Sequence, residues 1–256
     1  MAQSSNSFAS QVALITGGAT GIGRAMAQAL GNAGAKIWIG SRDEAAINRA
    51  VDELQTVGVA VSGAGLDVTN RARVEALVDR IVTQDGKIDI LFNGAGVMIR
   101  CPVLEMSEEV WDLVVDVNLK GMFLCTQAVA RGMIGRGYGR IINVTSGHAN
   151  GNATNSAYSA AKGGLESFTK TFAAELRPLN VDVTINAIEP GGTDTPMWRR
   201  GKSAAYIHQA LAAGRIHQPD FMGDVVLFLA SPASRAVNGE IVSHHQRDWL
   251  ATRNST

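Results

Sequence analysis

Seven short runs of apolar, largely β-branched residues, separated by longer stretches of helical period, limit the folds open to this chain. The runs are Val12–Ile15, Lys36–Gly40, Val59–Gly65, Ile88–Phe92, Arg140–Thr145, Val181–Ile188 and Glu240–Val242. Between them Ile22–Ala33, Asp43–Val57 and the stretches 71–85, 107–133 and 156–177 read as helices, with a late helix over Val225–Ala230. In Asp43–Val57 the residues Ala46, Ile47, Ala50, Val51 and Leu54 fall on one face. Strands apolar on both faces belong to a parallel sheet covered by helices on each side. The alternation then implies right-handed crossovers and an α/β, doubly wound parallel sheet of about seven strands. No Pro- or Ser-rich linker and no internal repeat divides the chain, so residues 1–256 read as one domain, with 1–10 and 251–256 expected to be loose.

Composition narrows the function. Hydrophobic residues are 46% and charged ones 18%, enough to bury a large core. Lys plus Arg and Asp plus Glu both number 23, and a net charge of zero argues against a dedicated binder of nucleic acid or anionic membranes. Cys101 and Cys125 are too few for a disulfide framework and have no metal-ligand spacing. The first basic residue is Arg24, so the start lacks the basic region of a signal peptide, and the apolar runs fall short of the ~18 residues that span a bilayer. A cytoplasmic protein is expected, without membrane or metal. Glycine is in excess: 28 of 256 residues, about 11% against a usual ~7%.

Much of that excess lies where strands end. Thr16-Gly-Gly-Ala-Thr-Gly-Ile-Gly23 follows the first strand and opens the first helix. Glycines let the backbone approach a pyrophosphate, and the helix N-terminus offers unpaired N–H groups to the anion. A tight strand–helix turn is the plainer alternative. Where a second-strand acid would hold the ribose hydroxyl of NAD, the chain instead reads Ile39-Gly-Ser-Arg42. Ser41 and the guanidinium fork of Arg42 suit a 2′-phosphate, which favours NADP(H) over NAD(H). Leu66-Asp67-Val68 is placed to line an adenine pocket, although Asp67 would serve equally as a helix cap.

A second group carries reaction chemistry. Tyr158-Ser-Ala-Ala-Lys162 is an i, i+4 pair near the start of a helix, which brings an ammonium beside a phenol. A free tyrosine has a pKa near 10, and a fixed cation stabilises the phenolate and draws that value toward working pH. Twelve residues before Tyr158, Asn143-Val-Thr-Ser146 puts a hydroxyl at the carboxyl edge of the sheet, where doubly wound proteins bind ligands. Asn118 interrupts a helix-like stretch. Each residue alone has a structural reading; together with the glycine loop the coincidence is improbable.

With these motifs the chain resembles the short-chain dehydrogenase/reductase family, in its compact branch, over residues 10–243. The resemblance rests on Thr16–Gly23, Asp67, Asn93-Gly-Ala-Gly96, Asn118, Ser146, Tyr158 with Lys162, and Asn186-Ala-Ile-Glu-Pro-Gly191 followed by Thr195. It implies a Rossmann-type fold and an NAD(P)-dependent oxidoreductase acting on alcohols and ketones. Tyr158 would be the general acid and base, with Lys162 tuning it and holding the nicotinamide ribose. Ser146 would bond the substrate oxygen, and Asn118 would support a water leading protons toward Lys162. The implied cofactor set is Gly17, Thr20, Gly21, Ile22, Gly23, Ser41, Arg42, Asp67, Val68, Asn93, Gly94, Ala95, Gly96, Tyr158, Lys162, Pro190, Gly191, Thr193 and Thr195.

Three departures bear on the site. Gly94 stands where the family has a second asparagine, Ser146 and Tyr158 are one residue closer than is common, and the end Ile241–Leu250 lacks the usual apolar strand with Asp-Gly-Gly. The loop Gly147–Ser156 is small and polar. The short lid over 195–213 carries Trp198, Arg199, Arg200 and Lys202, which suggests a polar, even anionic, carbonyl or polyol as the small-molecule partner; a solvated lid face is the alternative. The helices at 107–133 and 156–177 carry small and apolar faces; in the family that the chain resembles these pair subunits, which implies a homodimer or homotetramer, although a buried single-chain core would look similar. Two other functions stay open: a 3-oxoacyl-acyl-carrier-protein reductase, and a catalytically silent NADP(H) sensor.

Overall fold

The structure, a computed structural model, describes residues 7–214 and 216–243. Seven strands form one parallel sheet: β1 (Val12–Thr16), β2 (Lys36–Ser41), β3 (Val61–Gly65), β4 (Ile90–Asn93), β5 (Tyr138–Val144), β6 (Asp182–Glu189) and β7 (Ile241–Ser243). Their order is β3-β2-β1-β4-β5-β6-β7, so the chain winds outward in both directions from the β1/β4 junction. A crevice opens at such a reversal, beyond the carboxyl ends of the strands.

Alternation along each strand divides the core into two layers. Ala13 and Ile15 of β1, Ile37 and Ile39 of β2 and Phe92 of β4 face α1 (Gly21–Asn32) and α2 (Glu44–Thr56), with Met26, Leu30, Ile47 and Leu54. Val12, Leu14, Trp38 and Leu91 face the opposite way, onto α3 (Arg71–Asp85) and later helices, with Leu77, Ile81, Val129 and Leu176. Both sides of the sheet are therefore dry, which is why the strands read as continuous apolar runs.

The remaining helices are α4 (Glu108–Val115), α5 (Gly121–Arg136), α6 (Ser156–Leu176), α7 (Pro196–Arg199), α8 (Ala204–Ala212) and α9 (Gly223–Ala230). The expected helix over 107–133 is thus two helices joined by one π-helical turn, Asp116–Lys120. The run Glu108–Arg136 is long and apolar enough to cross a membrane by length and composition, but 56% of its most apolar window is buried inside the fold.

The expectation that residues 1–10 are loose is corrected for the described part. Phe8 is 2% exposed, joins the α1-side core and donates its N–H to Ala33 O at 2.9 Å. Residues 1–6 and 251–256, and the atypical segment from 244 onward, lie outside the described residues.

Candidate active site

A cleft of about 740 Å³ runs along the carboxyl edge of the sheet, from the glycine loop to the lid. Every residue expected at the cofactor or reacting positions lines it except Asn93.

At the β1 end the glycines are there because side chains do not fit. Gly17 has φ +68°, and a Cβ on it would lie 2.7 Å from Gly94 O; a Cβ on Gly23 would lie 2.4 Å from Gly17 O. Thr16 Oγ1 accepts the N–H groups of Gly94 and Ala95, both at 3.2 Å, and so ties the β1 and β4 tips together. Thr20 caps α1 with its backbone only, so its side chain leaves the first-turn N–H groups free toward the cleft. Glycine cradle and open helix N-terminus fit the pyrophosphate of a dinucleotide.

At the β2 tip Ser41 and Arg42 line the cleft, while Asp43 turns away to cap α2 through the Ala46 N–H. Asp67 does not cap α3, whose cap is Asn70. Instead Asp67 accepts the hydroxyl and N–H of Thr69 at 2.8 and 3.0 Å. The Thr69 hydroxyl, followed by its N–H and then Arg42 and Arg73, holds the Asp67 carboxyl below its usual value against the opposing effect of burial.

Asn93 is expected both near the adenosine and as a brace of the central sheet, and the structure shows the bracing contacts. It is fully buried and its amide donates to Thr126 Oγ1 and to Asn143 Oδ1, whose own amide reaches Thr169 Oγ1. This chain of bonds pins β4 and β5 to α5 and α6, so Asn93 supports the edge on which the cleft is built. The space beside Gly94 is already filled, since a Cβ there would meet the Phe92 ring at 2.8 Å and Thr16 O at 2.9 Å.

The reacting groups gather near the β4–β5 end. Asn118 sits in the π turn, fully buried, donating to Val97 O at 2.7 Å and Val114 O at 2.8 Å. Its Oδ1 has no partner among the described residues. The π turn is the reason an asparagine interrupts that helix, because it frees a backbone carbonyl and re-aims the side chain. Gly96 makes room for it: a Cβ there would lie 2.9 Å from Asn118 Oδ1.

Tyr158 and Lys162, 8% and 3% exposed, lie on the buried face of α6. Lys162 Nζ donates to Val144 O at 2.7 Å and stands 5.6 Å from the centre of the Tyr158 ring. Here the electrostatics differ from the sequence expectation. Burial raises the phenol above its usual value, opposed by the Ser146 hydroxyl bonded to it. Burial also brings the ammonium down to about 8. Both charged forms lose water, and at the phenol this desolvation outweighs the Ser146 hydrogen bond.

Ser146 Oγ also accepts the N–H of His148, whose ring stands edge-on to Tyr158 at 5.9 Å. The 147–156 loop is braced from outside: Cys101 donates its N–H to Thr154 O at 2.7 Å and pairs with Asn155.

The lid separates its cations. Thr195 Oγ1 caps α7. Arg199 is tied to Asp194 by two bonds of 2.5 and 2.6 Å and does not line the cleft. Arg200 does line it, as does Trp198, which also packs on Tyr206 and under the Lys202 ammonium. Sequence reasoning missed Met98 and Arg100, which line the cleft from the loop after β4. Their signal was position alone, just beyond the Asn93–Gly96 motif at a strand's carboxyl end.

Comparison with known proteins agrees in fold and length. The sequence model of the family described as short chain dehydrogenase matches residues 11–205. The chain is 39% identical over 240 residues to a short-chain reductase of Streptomyces niveus, covering 90% of this chain and 91% of that protein. It is 36% identical over 237 residues to a 3-oxoacyl-acyl-carrier-protein reductase of Thermotoga maritima, covering 91% and 95%. Among solved structures, levodione reductase superposes with a TM-score of 0.86 at 30% identity, covering 95% of this chain and 99% of that one.

Proposed function

The chain belongs to the short chain dehydrogenase family, and from that membership we propose an NADP(H)-dependent enzyme that interconverts a secondary alcohol and a ketone through Tyr158. As a member it is an oxidoreductase of the dehydrogenase and reductase class, working with a nicotinamide dinucleotide. The observation that supports the finer reading is the meeting of Tyr158, Ser146, Lys162 and Asn118 at one end of a glycine-lined cleft.

In reduction the Tyr158 phenol gives its proton to the carbonyl oxygen, and the Ser146 hydroxyl donates a hydrogen bond to that same oxygen. In oxidation the phenolate takes the alcohol proton back. A nicotinamide dinucleotide, when bound, would supply or accept the hydride; the glycine loop would hold its pyrophosphate, and Ser41 and Arg42 its 2′-phosphate. Lys162, with a pKa brought to about 8, remains mostly charged at neutral pH and stands near enough to stabilise the phenolate as it forms. The unpartnered Asn118 Oδ1 accepts a water through which the proton inventory is refilled. Pro190, Gly191, Thr193 and Thr195 close the cleft over the nicotinamide end.

The substrate in this reading is a small polar carbonyl or polyol. A second reading, a 3-oxoacyl-acyl-carrier-protein reductase, is favoured by the Thermotoga maritima relative. We place the enzyme in the cytoplasm as a homodimer or homotetramer. Support for assembly is the apolar face of α4–α6, where Trp111, Leu113 and Phe123 are exposed and Phe123 meets Phe168.

Purified enzyme is expected to turn over members of a ketone and polyol panel, and Tyr158→Phe to lose that turnover while still quenching on NADPH addition. No turnover across the panel, with Tyr158→Phe unchanged from the parent, would overturn the reading. Partner binding driven by NADPH alone would then point to a sensor.

A further inference from the structure

Among the described residues, the substrate end of the cleft presents cations and no carboxylate. The acids that line the cleft, Asp43 and Asp67, sit at the β2 and β3 tips, beside the expected adenosine position. At the other end Arg100 reaches in from the loop after β4 and Arg200 from the end of α7. Lys202 does not line the cleft itself; its Nζ donates to Trp198 O and lies 4.7 Å from the Trp198 ring.

None of these three makes an ion pair among the described residues, whereas the neighbouring Arg199 is fully engaged by Asp194. Arg100 and Lys202 are close enough to feel one another. Burial and then the charge of Arg100 push Lys202 below its usual value, and the same two causes act on His148 beside Tyr158. Holding like charges near one another without a counter-ion is unfavourable. Arg100 is anchored by the backbone of its neighbour Cys101, which bonds Thr154 O and pairs with Asn155 of the substrate loop. An anion entering the cleft would relieve the repulsion and accept the forked donors of two guanidinium groups.

We propose that Arg100 and Arg200, with the charge of Lys202 behind them, form a subsite for an anionic oxygen group of the substrate, so that the enzyme works on oxo acids and their hydroxy acids in preference to neutral ketones. This rests on the oxidoreductase reading and names its substrate class. His148, which lines the cleft edge-on to Tyr158, then offers a hydrogen-bonding group to the polar chain of the substrate.

The test is a matched series assayed with the same dinucleotide: a short oxo acid, its methyl ester, a phosphate-bearing ketone and the coenzyme A thioester of the acid. The oxo acid is expected to exceed its ester in kcat/KM by about tenfold or more, mostly through KM. Arg100→Gln and Arg200→Gln are expected to shrink that ratio by about tenfold, and Arg199→Gln to leave the ratio as it is. If the phosphate or thioester arm leads and collapses in the same two variants, the anion site stands and its ligand is a phosphate. An ester as good as the acid, or a ratio untouched by Arg100→Gln and Arg200→Gln, overturns the subsite while the oxidoreductase survives. If no member of the series reacts and none of the broader ketone panel does, the oxidoreductase reading fails and the subsite falls with it.

Discussion

Replacing Lys162 by Met gives a direct measure of what it costs to keep a charged group inside this site. Lys162 is 3% exposed, its hydrogen bond goes to Val144 O, and burial lowers its pKa from 10.5 to about 8. The folded chain therefore binds fewer protons than the unfolded chain between those two values, and this group's contribution to stability rises with pH there. Below about pH 8 the full cost is present; above about pH 10.5 it is gone. The separation corresponds to about 3 kcal/mol at pH 7, of which about 2.5 kcal/mol is relieved by pH 10. Methionine removes the charge and keeps the length of the chain, but it gives up the bond to Val144 O, a loss of about 1–3 kcal/mol that does not vary with pH. The signature is consequently the slope and not the offset. Tyr158, raised by burial, works in the opposite sense near pH 10, but it is present in both proteins and largely drops out of the difference. Urea unfolding followed by tryptophan fluorescence, at one protein concentration and without dinucleotide, measures both proteins from pH 7 to pH 10. The stability gap should move by about 2.5 kcal/mol in favour of the parent as pH rises. A gap constant to within about 0.5 kcal/mol would refute the claim that Lys162 is held against its own hydration.

Arg42→Ala should weaken NADPH by about tenfold or more and NADH far less, as read by fluorescence titration of both nucleotides; equal losses would remove the 2′-phosphate role. Phe8→Ala should lower the free energy of unfolding by about 3–5 kcal/mol while leaving KM unchanged, because the ring fills the core beside α1 and is remote from the cleft. A loss under about 1 kcal/mol would mean that the N-terminal turn is not part of the folded core.

The strands and their common direction were legible because hydrophobic periodicity is local, and because a sheet buried on both faces leaves long apolar runs. Ser146, Tyr158 and Lys162 were legible for a related reason: their spacing in one strand-end and one helix is itself the geometry that brings them together. What stayed open depends on contacts between distant segments. Asn93 stands in the same motif as Gly94 and Gly96, yet it turns inward, because the register of β4 on β5 sets it opposite Asn143. Asp67 looked equally fit to cap a helix until Asn70 was seen to do so.

Taken by itself, then, the sequence determined the fold class, the glycine cradle and the set of groups able to move a proton. Residue type and short-range spacing carry those things. The tertiary structure decided how the groups are poised and which cations line the cleft. Burial, which no local pattern reports, sets the phenol above and the ammonium below their usual values. Pairing decides the rest: Asp194 withdraws Arg199, while the Cys101–Asn155 bridge brings Arg100, far away in the chain, to the cleft edge that Arg200 shares.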